Sequence, residues 1–280
     1  MILKAHGKIN LSLDIVGKRN DGYHLLEMVM QSLDLHDEVI LTEIKKGITL
    51  TCNKSYVPED GRNIAYKAAK LIMDEKNIKK GVDIEITKNI PVSAGLGGGS
   101  SNAAAVLEGM NTLFNLKMSK DELMAMGLKL GADVPYFLVG GTALVKGVGE
   151  EVIPITPFKD QIVLLVKPSF GVSTKEAYGL FSLDKVKRHV DTAELIDAME
   201  KVDYQKLSYY QRNLLENVVL RKYPILKNIK KTLKRYGAAT ALMSGSGPTI
   251  YGIFENENAA ENAAIALDKG GNTVILTKTI

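Results

Sequence analysis

A glycine-rich segment constrains the fold of this chain more than any other feature. Residues Ala94–Ser101 read AGLGGGSS and lie between an alternating strand pattern at Val82–Ile86 and a helical pattern that starts at Ala103. Glycine permits positive φ angles and keeps side chains out of the path of approach, so successive backbone N–H groups can point into one concavity. The helix, predicted to begin near Ser100, adds unpaired N–H groups and the positive end of its dipole. This arrangement favours a site for a di- or triphosphate.

The common phosphate-binding motifs do not fit this segment. No lysine follows the glycines, as G-x-x-x-x-G-K-[ST] requires, and the sixth position counted from Gly95 is Ser100, which excludes G-x-G-x-x-G. The H-R-D and D-F-G motifs of protein kinases are also missing. The alternative is a flexible turn with a serine N-cap. Four glycines, two serines and an alanine-rich helix start favour phosphate binding over that alternative.

Composition restricts the class of protein. The chain has 280 residues, 45% hydrophobic and 24% charged, which is typical of a folded chain with one large domain or two small ones. A net charge of +4 gives no indication of nucleic-acid binding. Cys52 is the only cysteine, which excludes internal disulfides. The longest aliphatic run, Ile162–Val166, is too short to span a membrane. We therefore expect a cytoplasmic protein with no nucleic-acid or membrane partner.

The order of strand and helix patterns predicts an α+β fold with two lobes. The predicted boundary is Glu150–Lys159, which contains Pro154 and Pro157. Strands are predicted at 8–16, 24–35, 38–44, 47–52, 82–86, 162–167, 239–243, 249–254 and 273–277. Helices are predicted at 66–75, 103–114, 119–131, 174–180, 193–201, 204–221, 227–236 and 258–269.

Three further places carry residues suited to chemistry. Lys8 and Asn10 lie on the polar side of the first strand, where the alternative is a solvated strand face. Asp133 lies in Gly131–Pro135 (GADVP), just past a predicted helix end, where the alternative is a turn or a cap. The segment Met243–Thr249 (MSGSGPT) would by itself be a hairpin turn.

Taken together, these motifs resemble those of the GHMP kinases. The three motifs occur in family order: Ala5–Leu13 (AHGKINLSL), Pro91–Ala105 (PVSAGLGGGSSNAAA) and Ser244–Thr249 (SGSGPT). The resemblance implies a two-lobed α+β kinase fold. Its N-terminal domain, residues 1–155, would bind ATP and contain a left-handed βαβ crossover. Its C-terminal domain, residues 156–280, would be ferredoxin-like and lie on the substrate side.

Within the family, three segments resemble members that act on a cytidine-diphosphate-linked polyol: Gly7–Asn10 (GKIN), Asp21–His24 (DGYH) and Leu130–Pro135 (LGADVP). The implied reaction transfers the γ-phosphoryl group of ATP to the 2-hydroxyl of a methylerythritol carried on cytidine diphosphate. It would need Mg²⁺ and would belong to the non-mevalonate route to isoprenoid precursors.

The resemblance also assigns site residues. Asp133 matches the catalytic aspartate, as general base or as the group that orients the acceptor hydroxyl. Lys8 matches the catalytic lysine, acting on Asp133 or on the γ-phosphate. Ser100 is the tentative Mg²⁺ ligand. The positions that match the nucleotide site are Asn63, Lys88, Pro91, Val92, Ser93, Ala94, Gly95, Leu96, Gly97, Gly98, Gly99, Ser100 and Ser101. Those that match the acceptor site are Asn10, Tyr23, His24, Thr174, Tyr178 and Gly245.

Several alternatives stay open. Tyr178 suits a core contact as well as base stacking, and Asn102 stands where many relatives carry Asp, which makes an acidic metal ligand there less expected. Another GHMP kinase would act on homoserine, mevalonate or a sugar, but Asp21–His24 argues against a small acceptor. A catalytically silent nucleotide-binding protein would not need both Lys8 and Asp133. An RNA-binding module finds no support in the charge. We expect a monomer or a weak homodimer.

Overall fold

The computed structural model describes all 280 residues and contains two β-sheets flanked by helices. The first sheet and its helices occupy residues 2–154. Their elements are β1 (Ile2–Lys18), β2 (His24–Ile44), β3 (Ile48–Cys52), α1 (Ile64–Glu75), β4 (Gly81–Thr87), α2 (Gly98–Leu113), α3 (Lys120–Leu130), α4 (Val134–Val139), β5 (Thr142–Gly147) and β6 (Glu151–Pro154).

The second sheet and its helices occupy residues 162–278. Their elements are β7 (Ile162–Lys167), α5 (Thr174–Leu180), a 3₁₀ turn (Leu183–Lys185), α6 (Thr192–Glu200), α7 (Tyr204–Tyr210), α8 (Glu216–Lys222), α9 (Ile225–Arg235), β8 (Thr240–Met243), β9 (Ile250–Phe254), α10 (Glu257–Leu267) and β10 (Thr273–Lys278). None of the helices is long and apolar enough to cross a membrane.

The long strand β2 organises the first sheet. It pairs with β1 along one edge, and with β5 and then β4 along the other, giving the order β3–β4–β2–β5–β6. β3 and β4 are parallel and α1 connects them, so they form the βαβ unit that the family resemblance implies. The left-handed sense of that crossover stays a prediction.

The second sheet is antiparallel, in the order β10–β7–β9–β8. Numbered along this lobe, the strand order is 4-1-3-2, which is the ferredoxin-like arrangement expected from the resemblance. α9 and α10 pack against this sheet.

The hydrophobic core crosses the boundary between the two sheets. One buried cluster lies wholly in the first lobe, between its helices and its sheet. Each of the other two clusters contains residues of both sheets, such as Met30 with Leu164 and Ile9 with Leu165. Strand β1 is therefore buried on both faces from Gly7 to Ile15. The division into domains at residue 155 stays a prediction.

The structure corrects the sequence analysis at several elements. The strands predicted at 24–35 and 38–44 form one strand, β2, because the polar residue Asp37 is buried and fully bonded. The helix predicted at 204–221 is two helices, α7 and α8. Between them the backbone leaves the helical path to hydrogen-bond with Leu13 of β1.

α2 begins at Gly98, two residues before the predicted start at Ser100. The short elements α4, β5 and β6 were not predicted, because they lack a clear periodic pattern.

Candidate active site

A cleft of about 1070 Å³ lies where the glycine-rich loop, β1 and the 244–249 turn meet. Every residue that the sequence analysis assigned to the site lines this cleft, except Ser101. Ser101 is buried within α2 and lies off the cleft wall. Residues from nearly the full length of the chain, from Lys8 to Gly247, thus meet in one cavity.

The glycine-rich loop presents unpaired donors. None of the backbone N–H groups of residues 92–97 donates a hydrogen bond within the protein. Gly97 is the N-cap of α2, in the left-handed conformation at φ 73°, and no side chain caps the helix. The unpaired loop N–H groups and the helix N-terminus therefore form a site for an anion.

The glycines are needed mainly for contacts within the protein. A Cβ atom at Gly95 would lie 2.2 Å from the backbone oxygen of Ser244, and one at Gly97 would lie 2.4 Å from Cζ of Phe137. At Gly99 the nearest atom would be Cγ2 of Ile64 at 3.5 Å, an ordinary contact. The sequence analysis gave all the glycines the role of clearing the path for a phosphate. In the structure, Gly95 and Gly97 allow the loop to pack against the 244–249 turn and α4.

Lys8 is a buried cation at the centre of the cleft. Its side chain Nζ donates to Oδ1 of Asn10 at 2.5 Å and to the backbone oxygen of Gly95 at 3.0 Å. Since an ammonium group has three N–H donors, one remains for a ligand. Burial lowers the pKa of Lys8, and the negative charge of Asp133 partly counteracts that shift. The solvated strand face considered for Lys8 and Asn10 is thus wrong, since both are buried.

Asp133 precedes α4 in the N-cap position, but its side chain makes no capping hydrogen bond. The half-buried carboxylate has no hydrogen-bond partner in the protein and no cation within 4.0 Å, Lys8 included. Lys8 and Asp133 therefore interact only electrostatically, without a hydrogen bond or a direct ion pair. The capping role that was the alternative for Asp133 is excluded, and its oxygens are free to accept a hydrogen bond from a ligand.

Lys88 lines the cleft, but its charge is neutralised within the protein. Its ammonium forms a buried ion pair with Asp37, and Oδ1 of Asn102 lies 3.3 Å from Nζ. The other carboxylate oxygen of Asp37 accepts hydrogen bonds from the backbone N–H groups of Asn89 and Ile90. An amide at residue 102 can accept from Lys88 and also donate to Asp37, as it does at 2.9 Å. This network fixes the end of β4 just before the glycine-rich loop.

Aromatic side chains form another part of the cleft wall. The rings of His24 and Tyr178 are stacked, with centroids 5.1 Å apart and planes inclined by 28°. Tyr23 is 65% exposed and presents its ring to the cavity. Burial and the nearby charge of Lys18 lower the pKa of His24, so that its ring is neutral at pH 7. Tyr178 also packs against the core, as one alternative expected, and its stacking on a base stays a prediction.

The turn between β8 and β9 lies beside Lys8. A Cβ atom at Gly245 would lie 3.3 Å from Nζ of Lys8. The turn joins two antiparallel strands and is a hairpin turn, as its sequence indicated. The side-chain amide of Asn213 donates to the backbone oxygens of Met243 and Gly245 and so fixes the turn. The hydroxyls of Thr174 and Ser246 share a hydrogen bond at 3.0 Å on the cleft wall.

The sequence analysis missed one wall of the cleft, between β3 and α1. Tyr56, which is 67% exposed, lies there with Val57, Pro58 and Arg62. Asn63, which matches the family's nucleotide site, caps α1 through Oδ1 and donates to the backbone oxygen of Pro58 through Nδ2. The signal that could have found this wall is a tyrosine and a proline just before a helix N-cap.

A cleft with an anion-binding loop, a buried lysine and a free carboxylate is that of a small-molecule phosphotransferase. The family model "GHMP kinases N terminal domain" matches residues 63–141, and the model "GHMP kinases C terminal" matches residues 193–273. The chain therefore belongs to the GHMP kinase family.

Curated relatives show which members of the GHMP kinase family this chain resembles. The chain is 53% identical to a 4-diphosphocytidyl-2-C-methyl-D-erythritol kinase of Clostridium botulinum (strain Alaska E43 / Type E3), over 100% of both chains. It is 52% identical to the protein of the same name from Clostridium novyi (strain NT), also over 100% of both. A crystal structure of 4-(cytidine 5'-diphospho)-2C-methyl-D-erythritol kinase superposes with a TM-score of 0.86, at 31% identity over 100% of this chain and 99% of that one. Homoserine kinase from Cytophaga hutchinsonii, at 21% identity and a TM-score of 0.74, shares the fold over 99% of this chain and 98% of that one.

Proposed function

We propose that this chain transfers the γ-phosphoryl group of ATP to the 2-hydroxyl of 4-diphosphocytidyl-2-C-methyl-D-erythritol, giving ADP and the 2-phosphate. The names of full-length relatives at about half identity support this substrate. The activity would belong to isoprenoid precursor biosynthesis. An ATP-consuming enzyme acts where ATP is supplied, so we also propose a cytoplasmic location.

One observation carries the proposal: residues with unpaired backbone N–H groups and a free carboxylate line one cleft. The N–H groups of residues 92–97 supply a cradle for a polyphosphate, and Asp133 supplies an acceptor for a hydroxyl proton. Phosphoryl transfer requires both, together with a cation, and Lys8 is that cation.

Each of the two charged residues has a definite task. Asp133 accepts a hydrogen bond from the acceptor hydroxyl and takes its proton as the new O–P bond forms and the bond to the ADP oxygen breaks. Lys8 directs its remaining N–H donor at the cleft, toward the transferring phosphoryl group. Its contacts with Asn10 and Gly95 fix the ammonium before the nucleotide binds, so no reorganisation is needed at the moment of transfer.

Oxygen atoms are the ligands that Mg²⁺ prefers, and the cleft offers them. Phosphates and water would supply most of the ligands of the ion. A Cβ atom at Gly131 would lie 3.8 Å from Oγ of Ser100, which places that hydroxyl beside the segment that carries Asp133. Ser100 would hold the ion, and the ion would neutralise charge on the phosphates.

The aromatic end of the cleft suits a pyrimidine base. Tyr23 offers an exposed ring for stacking, and the neutral His24 imidazole can donate or accept at the amide-like edge of cytosine. Thr174, Asn10 and Gly245 line the same cleft, and the diphosphate and the polyol would extend along them. We assign residues 1–155 to nucleotide binding and residues 156–280 to the acceptor side, in a monomer or weak homodimer.

A coupled ADP-release assay with Mg-ATP tests the proposal. The acceptors are diphosphocytidyl methylerythritol, homoserine, mevalonate and galactose. We expect turnover with the cytidyl compound alone and a fall in kcat of about 10²- to 10⁴-fold for Asp133→Asn, the usual contribution of a general base. Asp121→Asn, an exposed carboxylate on α3, is the matched control and should keep full activity.

The other outcomes separate the parts of the proposal. Turnover with a small acceptor would keep the kinase but reject the cytosine site. Full activity in Asp133→Asn would reject the assigned base. ATP binding without turnover on any acceptor would favour a silent nucleotide-binding protein.

A further inference from the structure

Two histidines and an aspartate meet outside the active-site cleft, on the β1–β2 pair. His6 of β1 is directly opposite His36 of β2, and the centroids of the two rings are 5.1 Å apart. One ligand atom from each of His6, Asp34 and His36 lies within 4.8 Å of the other two. None of the three residues lines the cleft.

A bulge in the strand pair creates this cluster. His6 pairs with His36 and Lys8 pairs with Ser32, so the single residue Gly7 is opposite three residues of β2, Leu33–Leu35. Bulges re-aim side chains and backbone groups locally. Here the bulge turns two backbone carbonyls toward the imidazoles and leaves the Asp34 side chain exposed beside them.

The hydrogen bonds of the rings leave the same nitrogen free on each histidine. Nδ1 of His6 lies 2.9 Å from the backbone oxygen of Leu33, and Nδ1 of His36 lies 2.5 Å from that of Asp34. A carbonyl oxygen only accepts, so each Nδ1 is the donor, and in the neutral ring the lone pair is on Nε2. This pattern, with one nitrogen donating to a carbonyl and the other unprotonated, is how proteins orient metal-binding histidines.

The aspartate supplies a third ligand that nothing in the protein uses. The Asp34 carboxylate has no hydrogen-bond partner and no cation within 4.0 Å, although its own backbone oxygen holds His36. Ligand atoms of two imidazoles and one carboxylate thus lie around a common centre.

The ligand atoms of this cluster determine which kind of metal ion it would bind. Two imidazoles with one carboxylate are typical of Zn²⁺ and similar transition metals, whereas Mg²⁺ and Ca²⁺ prefer oxygen ligands. Ligands that share a tetrahedral Zn²⁺ lie about 3.3 Å apart, so modest side-chain rotations would close the cluster. With three protein ligands, water completes the coordination.

We propose that His6, Asp34 and His36 form a binding site for one divalent transition-metal ion, with Zn²⁺ as the representative. The site is independent of the proposed kinase activity. It would tie β1 to β2 directly beside Asp37, which holds Lys88 and the start of the glycine-rich loop. Metal binding would therefore stabilise the fold near the nucleotide side of the cleft.

The test is a Zn²⁺ titration of the full chain with Mg²⁺ in excess throughout. Calorimetry gives the stoichiometry, and long-range ¹H–¹⁵N spectra of the imidazoles show which nitrogens are affected. We expect one Zn²⁺ per chain, shifts at Nε2 of His6 and His36, and a rise in Tm on binding. Before Zn²⁺ is added, both rings should show the Nδ1–H tautomer.

The variants His6→Gln, His36→Gln and Asp34→Asn should each weaken Zn²⁺ binding by about tenfold or more. His189→Gln is the matched control, because it removes another exposed imidazole from outside the cluster and should bind Zn²⁺ as the wild type does. Unchanged binding in the double variant His6→Gln/His36→Gln, spectral shifts confined to His24 or His189, or no binding at about 1 mM Zn²⁺ would each overturn the proposal.

Discussion

Lys8 shows how folding changes the chemistry of a single residue in this protein. The residue is 3% exposed, and the three donors of its ammonium are divided between two protein oxygens and the cleft. Burial disfavours the charged form and lowers its pKa, whereas the Asp133 carboxylate favours the charged form. A desolvated cation interacts more strongly with a phosphoryl group than one in water, so the same burial that lowers the pKa would serve the transfer proposed for Lys8.

The lowered pKa of Lys8 predicts a pH-dependent contribution to stability. The unfolded chain keeps the Lys8 proton up to about pH 10.4, the usual lysine value, whereas the folded chain releases it at lower pH. Between these two pKa values the unfolded state binds more protons, so the stability of the folded state rises with pH. We expect the free energy of unfolding of the wild type, minus that of Lys8→Met, to increase with pH between these two pKa values. Urea titrations at several pH values measure it, and a constant difference would contradict the assigned burial.

Lys88 gives a second prediction at this scale. Lys88→Met leaves the Asp37 carboxylate buried without a counter-ion, and we expect a loss of about 3–5 kcal/mol in the free energy of unfolding. Adding Asp37→Asn should recover part of this loss, because an asparagine oxygen can still accept from Asn89 and Ile90. Denaturant titrations compare the single and double variants.

The double variant also tests the predicted role of Lys88 in nucleotide binding. A KM for ATP that stays raised after stability is recovered would support direct contact with the nucleotide. A KM for ATP that returns to the wild-type value in the double variant would indicate that Lys88 has only a structural role. A double variant no more stable than Lys88→Met would contradict the ion-pair argument itself.

Among the elements, the junction between the glycine-rich loop and α2 makes the cleft possible. The loop packs against the 244–249 turn so closely that both Lys8 and Ser244 donate to one backbone oxygen, that of Gly95. The helix then begins at Gly98 without a side-chain cap. An uncapped helix start is unfavourable unless a ligand or water satisfies it, which is the reason a functional site is found there.

Substitution of single glycines in this junction shows which glycines are needed for packing within the protein and which only keep the approach of a phosphate open. Gly95→Ala would place Cβ 2.2 Å from a backbone oxygen at a φ of 75°, so we expect a loss above about 2 kcal/mol in stability and of most ATP affinity. Gly99→Ala, the matched control, has ordinary contacts in the first turn of α2 and should be within about 1 kcal/mol of the wild type. Thermal unfolding and ATP binding measure both variants. Equal stability of the two would contradict the packing role of Gly95.

At the scale of the whole molecule, the two lobes share their cores. Two of the three hydrophobic clusters contain residues of both sheets, and Gln31 of β2 donates to the backbone oxygen of the last residue, Ile280, at 2.8 Å. The cleft walls therefore belong to one packed body rather than to two that merely touch. This rigidity keeps Lys8, Asp133 and the 244–249 turn in register.

Shared cores predict a single cooperative unfolding transition. We expect native-state hydrogen exchange to give the same opening free energy for buried amides of β2, such as Met30, and of β9, such as Ile253. Tyrosine fluorescence and circular dichroism should report one midpoint. Two separated transitions would instead support independent domains on either side of residue 155.

The site residues assigned from short motifs and the family resemblance meet in one cleft, except Ser101. They are just over half of the residues that line it, and the wall at Tyr56–Arg62 was missed. The errors concern places where tertiary contacts override local patterns. Asp37 would normally interrupt a strand, but buried partners allow β2 to continue, and bonds to Leu13 pull the backbone out of a helix between α7 and α8.

The sequence by itself determined the class of chemistry, because residue types at fixed spacing specify which atoms can hold a phosphate or accept a proton. It also determined the alternation of buried strands, since the period of hydrophobic residues is a local property. Only the tertiary structure decided that Asp133 is unpaired, that Lys88 is neutralised by Asp37, and that His6 meets His36. The state of a charged side chain depends on partners far away in sequence, and only the packing of the whole chain decides which partners it has.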